Sequence, residues 1–432
     1  MKPIALFRRT ALALLLGLGA LSAHAAALQP ITLDADALAH ARTRVAARDA
    51  RLLPAHAKLM EHAEALLKTQ PESVTYKKLA PPSGDRHDYM SLAPYWWPDP
   101  SRPDGLPYVQ RDGQFNPSAK NGDTDSVRMQ IMCLGVQNLS VAWYFSRDAR
   151  YARKAADYIR TWFLDPATRM NPNLRYGQAV MGRVDGRGIG LIDTRNLWMV
   201  IDAVALLEPA QVLSTAEVEA LRAWFRTFTD WMLNDPLGVE EFNAHNNHGT
   251  FYDMQIASYA LFSGDRETAR RAVERGVDLR IASQISIEGK QYAELERTTP
   301  FHYSAFNLDA MTHLARYGEL LGVDVWKKRE RTRGLRNGIN YLARYADKPA
   351  SWPWRELNGH PESELALSVM LRAERAYGGS GYGRVAMGLP VTSFQTQEYI
   401  GLAKLLGTEP PTTLNVIDRL LWPIRTADAP AP

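Results

Sequence analysis

Residues 126–162, SVRMQIMCLGVQNLSVAWYFSRDARYARKAADYIRTW, carry the pattern on which the fold turns. The first part, within 124–146, is apolar-rich at helical spacing, and the second, within 148–164, sets apolar residues at helical intervals among charged ones. Asp148, between them, is a residue type whose side chain accepts a backbone N–H at a helix start. The stretch therefore reads as two helices joined by one short turn. Cys133, the only cysteine, falls in the apolar helix, where a small buried hydrophobe is expected.

Helical periodicity recurs at 36–48, 53–69, 195–208, 214–233, 248–263, 265–281, 300–321, 327–345, 361–376 and 393–406, giving about a dozen helices. Ser214 with Glu217 forms a capping-box pattern, and Thr299-Pro300 marks another start. Alternating strand runs are scarce. Connections are short except at 79–123, rich in Pro, Gly, Asp and aromatics, and at 166–195, rich in Gly, Arg and Asn; loops of such length and content carry function. Helix pairs joined by short turns predict an all-α, single-domain (α/α) toroid, an incomplete barrel of helical hairpins whose loops line a central cleft.

The chain opens MKPIALFRRTALALLLGLGALSAHAA, with Lys2, Arg8 and Arg9 before an apolar stretch and Ala23-His24-Ala25 after it. This predicts a signal peptide over 1–25, a toroid domain over 26–432, and export to the periplasm or beyond without stable membrane insertion. Loss of the leader takes the formal charge from +4 to +1. A balance so close to neutral, with no basic run, argues against nucleic acid as partner. One cysteine excludes an intramolecular disulfide and a cysteine-based zinc cluster. The sequence leaves oligomeric state open.

Two motifs hold candidate chemistry. EFNAHNNHGTFYDM, 241–254, sets His245 and His248 three apart with no glutamate between them, a poor zinc pattern, so no metal is assigned. Asn246 or Asn247 suits a helix cap, and His248 falls at that helix's start. In ELERTTPFHYSAFN, 294–307, Arg297 precedes Tyr303 by six, and Pro300 as first helical residue puts Tyr303 in the first turn. Backbone N–H groups there favour developing negative charge, which would help a tyrosine transfer protons as a phenolate. In the first long loop, Tyr95, Trp96 and Trp97 are read as sugar-stacking walls or, for the tryptophans, as core, and His87 as a substrate contact or a loop hydrogen-bonder. Asn173, Tyr176, Gln178, Arg183 and Arg187 in the second loop are read as binding groups or scaffold. His245 and His302 join them as candidate substrate contacts.

NNHG, ELERTTPFHY and SGDRHDYMSLAPYWWPDP resemble the alginate lyase superfamily of (α/α) toroid polysaccharide lyases. The Arg-to-Tyr spacing, NPNLRYGQAV and GRGIGLIDT resemble in particular polysaccharide lyase family 38, with alginate- and glucuronan-cleaving members. The similarity runs from about 75 to about 400. It implies β-elimination on an anionic 1,4-linked uronate polymer, alginate, especially mannuronate, or glucuronan, with no cofactor. It further implies that Asn247 and Arg297 neutralise the uronate carboxylate, that Tyr303 transfers protons as base and acid on one sugar face, and that His248 is the base when the proton lies on the other. Two rivals remain at this stage. An (α/α)-barrel glycoside hydrolase would need two opposed carboxyls, with Asp123, Asp125, Glu294 and Glu296 available. A non-catalytic polysaccharide-binding protein would explain the aromatic loop alone.

Overall fold

The computed structural model describes residues 29–329, 332–357, 359–379, 381–389 and 415–424; the expected signal peptide and the expected helix at 393–406 lie outside them. In chain order the helices are α1 (Ala35–Ala46), α2 (Leu53–Leu66), α3 (Ser126–Ser146), α4 (Ala149–Ile159), α5 (Trp198–Leu207), α6 (Thr215–Asn234), α7 (Pro236–Phe242), α8 (Asn247–Ser263), α9 (Arg266–Arg275), α10 (Ala282–Gln284), α11 (Tyr292–Leu295), α12 (Pro300–Leu321), α13 (Leu335–Ala346), α14 (Leu367–Tyr377), α15 (Tyr382–Gly388) and α16 (Asn415–Leu421).

The sequence of each helix decides its layer. α3, α5 and α8 are buried almost all round, and α12 over most of its surface, as expected of helices with no dominant polar face. They pack in sequence, α3 on α5, α5 on α8, α8 on α12, and α12 on α14. α4, α9 and α13 bury one face each and lie outside, against α3, α8 and α12; α6 also packs on α8. The result is the two-layered (α/α) toroid. α16 packs against α1, α2 and α14, bringing the ends of the array together.

Local signals set the turns. α3 ends at Arg147 in the left-handed region, φ 61°, and Asp148 Oδ1 then accepts from Arg150 N at 2.9 Å to start α4. α8 ends at Gly264, φ 90°, a conformation that favours glycine. Ser214 and Glu217 complete their capping box, Ser214 N donating to Glu217 Oε2 at 2.8 Å and Glu217 N to Ser214 Oγ at 3.3 Å. The helix expected over 361–376 opens with a 3-10 turn, Ser363–Ala366, before its α-helical part from Leu367, and three others also differ from expectation. Those expected over 148–164 and 265–281 finish as π-helical turns at Arg160–Leu164 and Gly276–Ile281, and the one expected from 327 begins at Leu335. α7, α11, α15 and α16, of four to seven residues, are too short to show a helical period in sequence.

The two long loops meet. Short strands β1 (Met90–Leu92), β2 (Trp96–Trp97), β3 (Val109–Gln110) and β4 (Tyr176–Ala179) arise within them. β1 and β4 pair in parallel, Met90 opposite Tyr176 and Leu92 opposite Ala179, while β2 and β3 form an antiparallel pair. Asp193 ties the seam: Oδ2 accepts from Tyr89 Oη at 3.0 Å and Ser91 Oγ at 2.6 Å, and Oδ1 from Gln178 Nε2 at 3.2 Å. Its carbonyl accepts from Gln130 Nε2 on α3 at 2.9 Å, so the loops are anchored to the inner layer. One apolar core runs from Leu33 to Trp422, with a small satellite of Met90, Leu92, Ala119 and Ala179 under the loops.

Candidate active site

The first turns of α8 and α12, neighbours in the inner layer, supply the site. Asn246 caps α8, its Oδ1 accepting from His248 N at 3.2 Å, which settles which asparagine is the cap. Asn247 is buried, and both its donors meet one carboxylate: its N–H lies 2.6 Å from Glu294 Oε1 and its Nδ2 2.7 Å from Glu294 Oε2. His248 Nδ1 lies 2.8 Å from Glu241 Oε1, and the Glu241 side chain is fully buried with Oε2 unpartnered. The imidazole keeps 18% side-chain exposure, enough for its other nitrogen to reach a ligand.

On α12, Pro300 is the first helical residue and Tyr303 N donates to Thr299 O at 3.1 Å, so Tyr303 stands in the first turn as read. Arg297 stacks its guanidinium 3.9 Å from the Tyr303 ring centroid and donates from Nη2 to the phenol oxygen at 2.8 Å. The Tyr95 hydroxyl lies 2.9 Å from the same oxygen, and Asp112 stands 3.7 Å from Arg297. Arg297 joins the two clusters, because its N–H donates to Glu294 O at 3.2 Å and Glu294 holds Asn247.

The environment sorts the proton carriers. Burial pulls the His248 imidazole down, but the charge and hydrogen bond of Glu241, with the charge of Glu294, outweigh it and hold the pKa above the ordinary histidine value, against Arg297. Burial pushes Tyr303 far above the ordinary tyrosine range; Tyr95 and Asp112 add to this and Arg297 opposes it. The phenolate that the helix start would favour is not the resting form: burial outweighs the Arg297 charge, and the group rests as a phenol. Glu294 is raised by burial against the Asn247 hydrogen bonds and the charges of Arg297 and His248.

The loop candidates divide. Tyr95 reaches the site directly. Trp96 and Trp97 are half-buried on the β2–β3 ribbon, with Arg183 5.3 Å over the Trp96 ring and Arg111 5.3 Å over Trp97, so neither is core. Arg187 lies 6.0 Å over Trp96 and donates to Gln178 O at 3.0 Å, tying the second long loop to the ribbon. His87 Nδ1 is bonded to Arg169 O at 2.6 Å and Asn173 Nδ2 to Asp88 Oδ1 at 3.1 Å; both stitch one loop to the other, as does Tyr176 in β4. His245 is exposed, and His302 stacks on Phe306 with Glu362 3.9 Å from its Nδ1. Glu241 and Asp112 escaped the sequence reading. Glu241 sits at the end of the unread helix α7, and only the turn that follows brings it back to His248.

The carboxyls a hydrolase would need are otherwise engaged. Asp125 forms a fully buried pair with Lys77 at 2.9 Å, Asp123 bonds Lys78 and Asn121 at the surface, Glu294 is clamped by Asn247, and Glu296 is exposed. Among the described residues no three His, Cys, Asp or Glu side chains converge as a metal-binding set.

Residues 73–352 match the family model described as alginate lyase. No curated protein sequence matches the chain. Among solved structures, an alginate lyase from Bacteroides ovatus is 35% identical with TM-score 0.78, covering 87% of this chain and 98% of that one. Alginate lyase A1-III from Sphingomonas species A1 is 15% identical with TM-score 0.52, covering 89% and 98%, a likeness of fold. A variant of the same enzyme complexed with a tetrasaccharide gives TM-score 0.55 at 15% identity, with 89% and 98% covered. A family match over most of the chain, with a 35%-identical relative of the same fold, makes this protein a polysaccharide lyase belonging to the alginate lyase family.

Proposed function

We propose that the chain is an exported lyase that cleaves 1,4-linked uronate polymers, mannuronate-rich alginate or glucuronan, by β-elimination. The observation that carries this reading is Arg297 bonded to the Tyr303 phenol beside a histidine held by a buried carboxylate. The C5 proton of a uronate is weakly acidic until its carboxylate is neutralised. Arg297 supplies the charge, and Asn247, fixed by Glu294, supplies a remaining amide hydrogen. A base then takes the C5 proton, the electron pair forms the C4–C5 double bond, the C4–O4 bond breaks, and an acid protonates O4. Tyr303, a phenol at rest, suits the acid role on every substrate.

The base depends on which face carries the proton. Mannuronate and glucuronate differ at C2 and share the syn relation of C5–H to O4, so Tyr303 serves both ends: its own proton first passes to solvent, Arg297 stabilises the phenolate, and the proton then taken from C5 is delivered to O4. Guluronate, inverted at C5, presents the proton on the other face, where His248, oriented by Glu241, takes it. Glu241 is a positioning residue in this scheme. The Bacteroides ovatus relative and the tetrasaccharide complex of the Sphingomonas enzyme support the substrate class. The leader pattern at 1–25 supports export.

The test is to incubate purified protein with polymannuronate, polyguluronate, glucuronan and hyaluronan, following ultraviolet absorbance of the unsaturated uronate together with product size. Shortened chains without that absorbance would mean hydrolysis and overturn the reading. Absorbance on hyaluronan alone would overturn the substrate class.

A further inference from the structure

A second, open pocket of about 620 Å³ lies between α13 and the segments 286–290 and 353–354, away from His248 and Tyr303. Its walls include Trp354, Tyr341 and Tyr345, with Lys290, Arg344 and Glu288 at the rim. Trp354 Nε1 donates to Tyr341 Oη at 2.9 Å, which fixes the indole. Glu288 is held by Ser286 Oγ at 2.8 Å. Lys290 lies near enough to lower the Glu288 carboxyl by its charge, so the lining carries two cations against one acid and is net positive. Aromatic faces beside such cations suit a sugar ring bearing a carboxylate.

The pocket connects to the reaction centre on both sides. Tyr345 and Tyr341 pack on Trp352, with ring centroids 5.3 and 6.0 Å away, and Trp352 packs on Phe301, 5.1 Å away and two residues before Tyr303. Gln291, next to Lys290, donates to Ser304 O at 3.0 Å, next to Tyr303. Leu357 N donates to Thr298 O at 2.8 Å, and a Cβ at Gly113 would meet Leu357 Cδ2 at 3.0 Å, beside the Asp112–Arg297 pair. A surface path thus leads from Arg297 over Leu357 to Trp354. Exposure points the same way: Ile287 at 60%, Leu357 at 54% and Tyr292 at 52% are the most exposed large apolar side chains among the described residues, and all three border this region.

We propose that this pocket is an accessory subsite that holds a uronate unit of the same polymer, several sugars from the bond being cleaved, with Trp354 and Tyr345 against the ring and Lys290 and Arg344 on carboxylates. The proposal rests on the lyase reading above. Its test compares wild type, Lys290→Ala/Arg344→Ala, Trp354→Ala and the charge-keeping Lys290→Arg/Arg344→Lys on polymannuronate, with a mannuronate trisaccharide, too short to reach both places, as internal control. KM for the polymer should rise roughly five- to tenfold in the first two variants, the effect of about 1–1.4 kcal/mol of binding, and return largely to wild type in the third. Unchanged polymer KM in both alanine variants would overturn the subsite. If the wild type forms no unsaturated product from any uronate polymer, the lyase reading fails instead. Affinity electrophoresis in polymannuronate then decides the pocket alone: weaker retardation of the alanine variants supports it, and equal retardation overturns it.

Discussion

At the scale of single residues the site is a division of labour set by burial and charge. Tyr303 is kept protonated by desolvation, so Tyr303→Phe, which keeps the packing and removes the transferable proton, should lower turnover at least about 10²-fold on every uronate polymer. Substantial cleavage by that variant, read as absorbance growth, would remove Tyr303 from the mechanism. His248 must be neutral to accept a proton, and its pKa is held above 6.5, chiefly by Glu241 working against burial. Activity on polyguluronate should therefore fall as pH drops through that raised value. Glu241→Gln removes the largest upward contribution, so the acid limb of its kcat/KM profile should move to lower pH; a limb that stays in place would mean that His248 is not the titrating base. The motifs HNNHG and Arg297-to-Tyr303 were legible because each lies within one short stretch. Glu241 was not, because the turn after the short helix α7 that folds it back onto His248 has no sequence signature, and Asp112 and the role of Glu294 were not, because tertiary packing brings them to their partners.

At the scale of elements, two helix N-termini are fixed by different means. α8 is capped locally by Asn246, a signal visible in sequence, but Thr299 makes no side-chain cap for α12. The N–H of Phe301 is met by Glu356 Oε1 at 2.9 Å, from a segment 55 residues on. Glu356→Ala should cost about 1–2 kcal/mol, as losing a helix cap does, seen as a lower urea midpoint. Because Tyr303 stands in that same turn, turnover should fall as well. A lowered midpoint with wild-type turnover would show that the cap stabilises α12 without placing the phenol. The long helices were readable because a 3.6-residue period repeats about three times or more within each, whereas β1 to β4, with two to four residues each, offer no alternation to detect. The long loops could be recognised as functional without any sign that they pair with each other.

At the scale of the whole molecule, the toroid is held where its ends meet the middle. The bent segment before α1 lies on α5, and Asp202 gathers it: the N–H groups of Ile31, Thr32 and Leu33 donate to its carboxylate at 2.7, 3.1 and 2.6 Å. Asp34, just beyond, accepts from Arg375 Nε on α14 at 2.6 Å, and Arg44 Nη1 on α1 donates to Ile424 O at 2.6 Å. N-terminal segment, inner layer and C-terminal helices are thereby joined through a few polar contacts. The first turns of α8 and α12, which carry the candidate site, use none of these bonds. Asp202→Ala would leave three backbone donors without their acceptor, and a buried donor left unpaired costs about 1–3 kcal/mol. The denaturation midpoint should therefore drop by several degrees or more, while turnover, measured well below that midpoint, should stay near wild type because His248, Tyr303 and Arg297 keep their partners. Equal losses of stability and turnover would instead show that the inner layer transmits strain from α5 through α8 to the site, and that the clamp and the first turns of α8 and α12 form one cooperative unit.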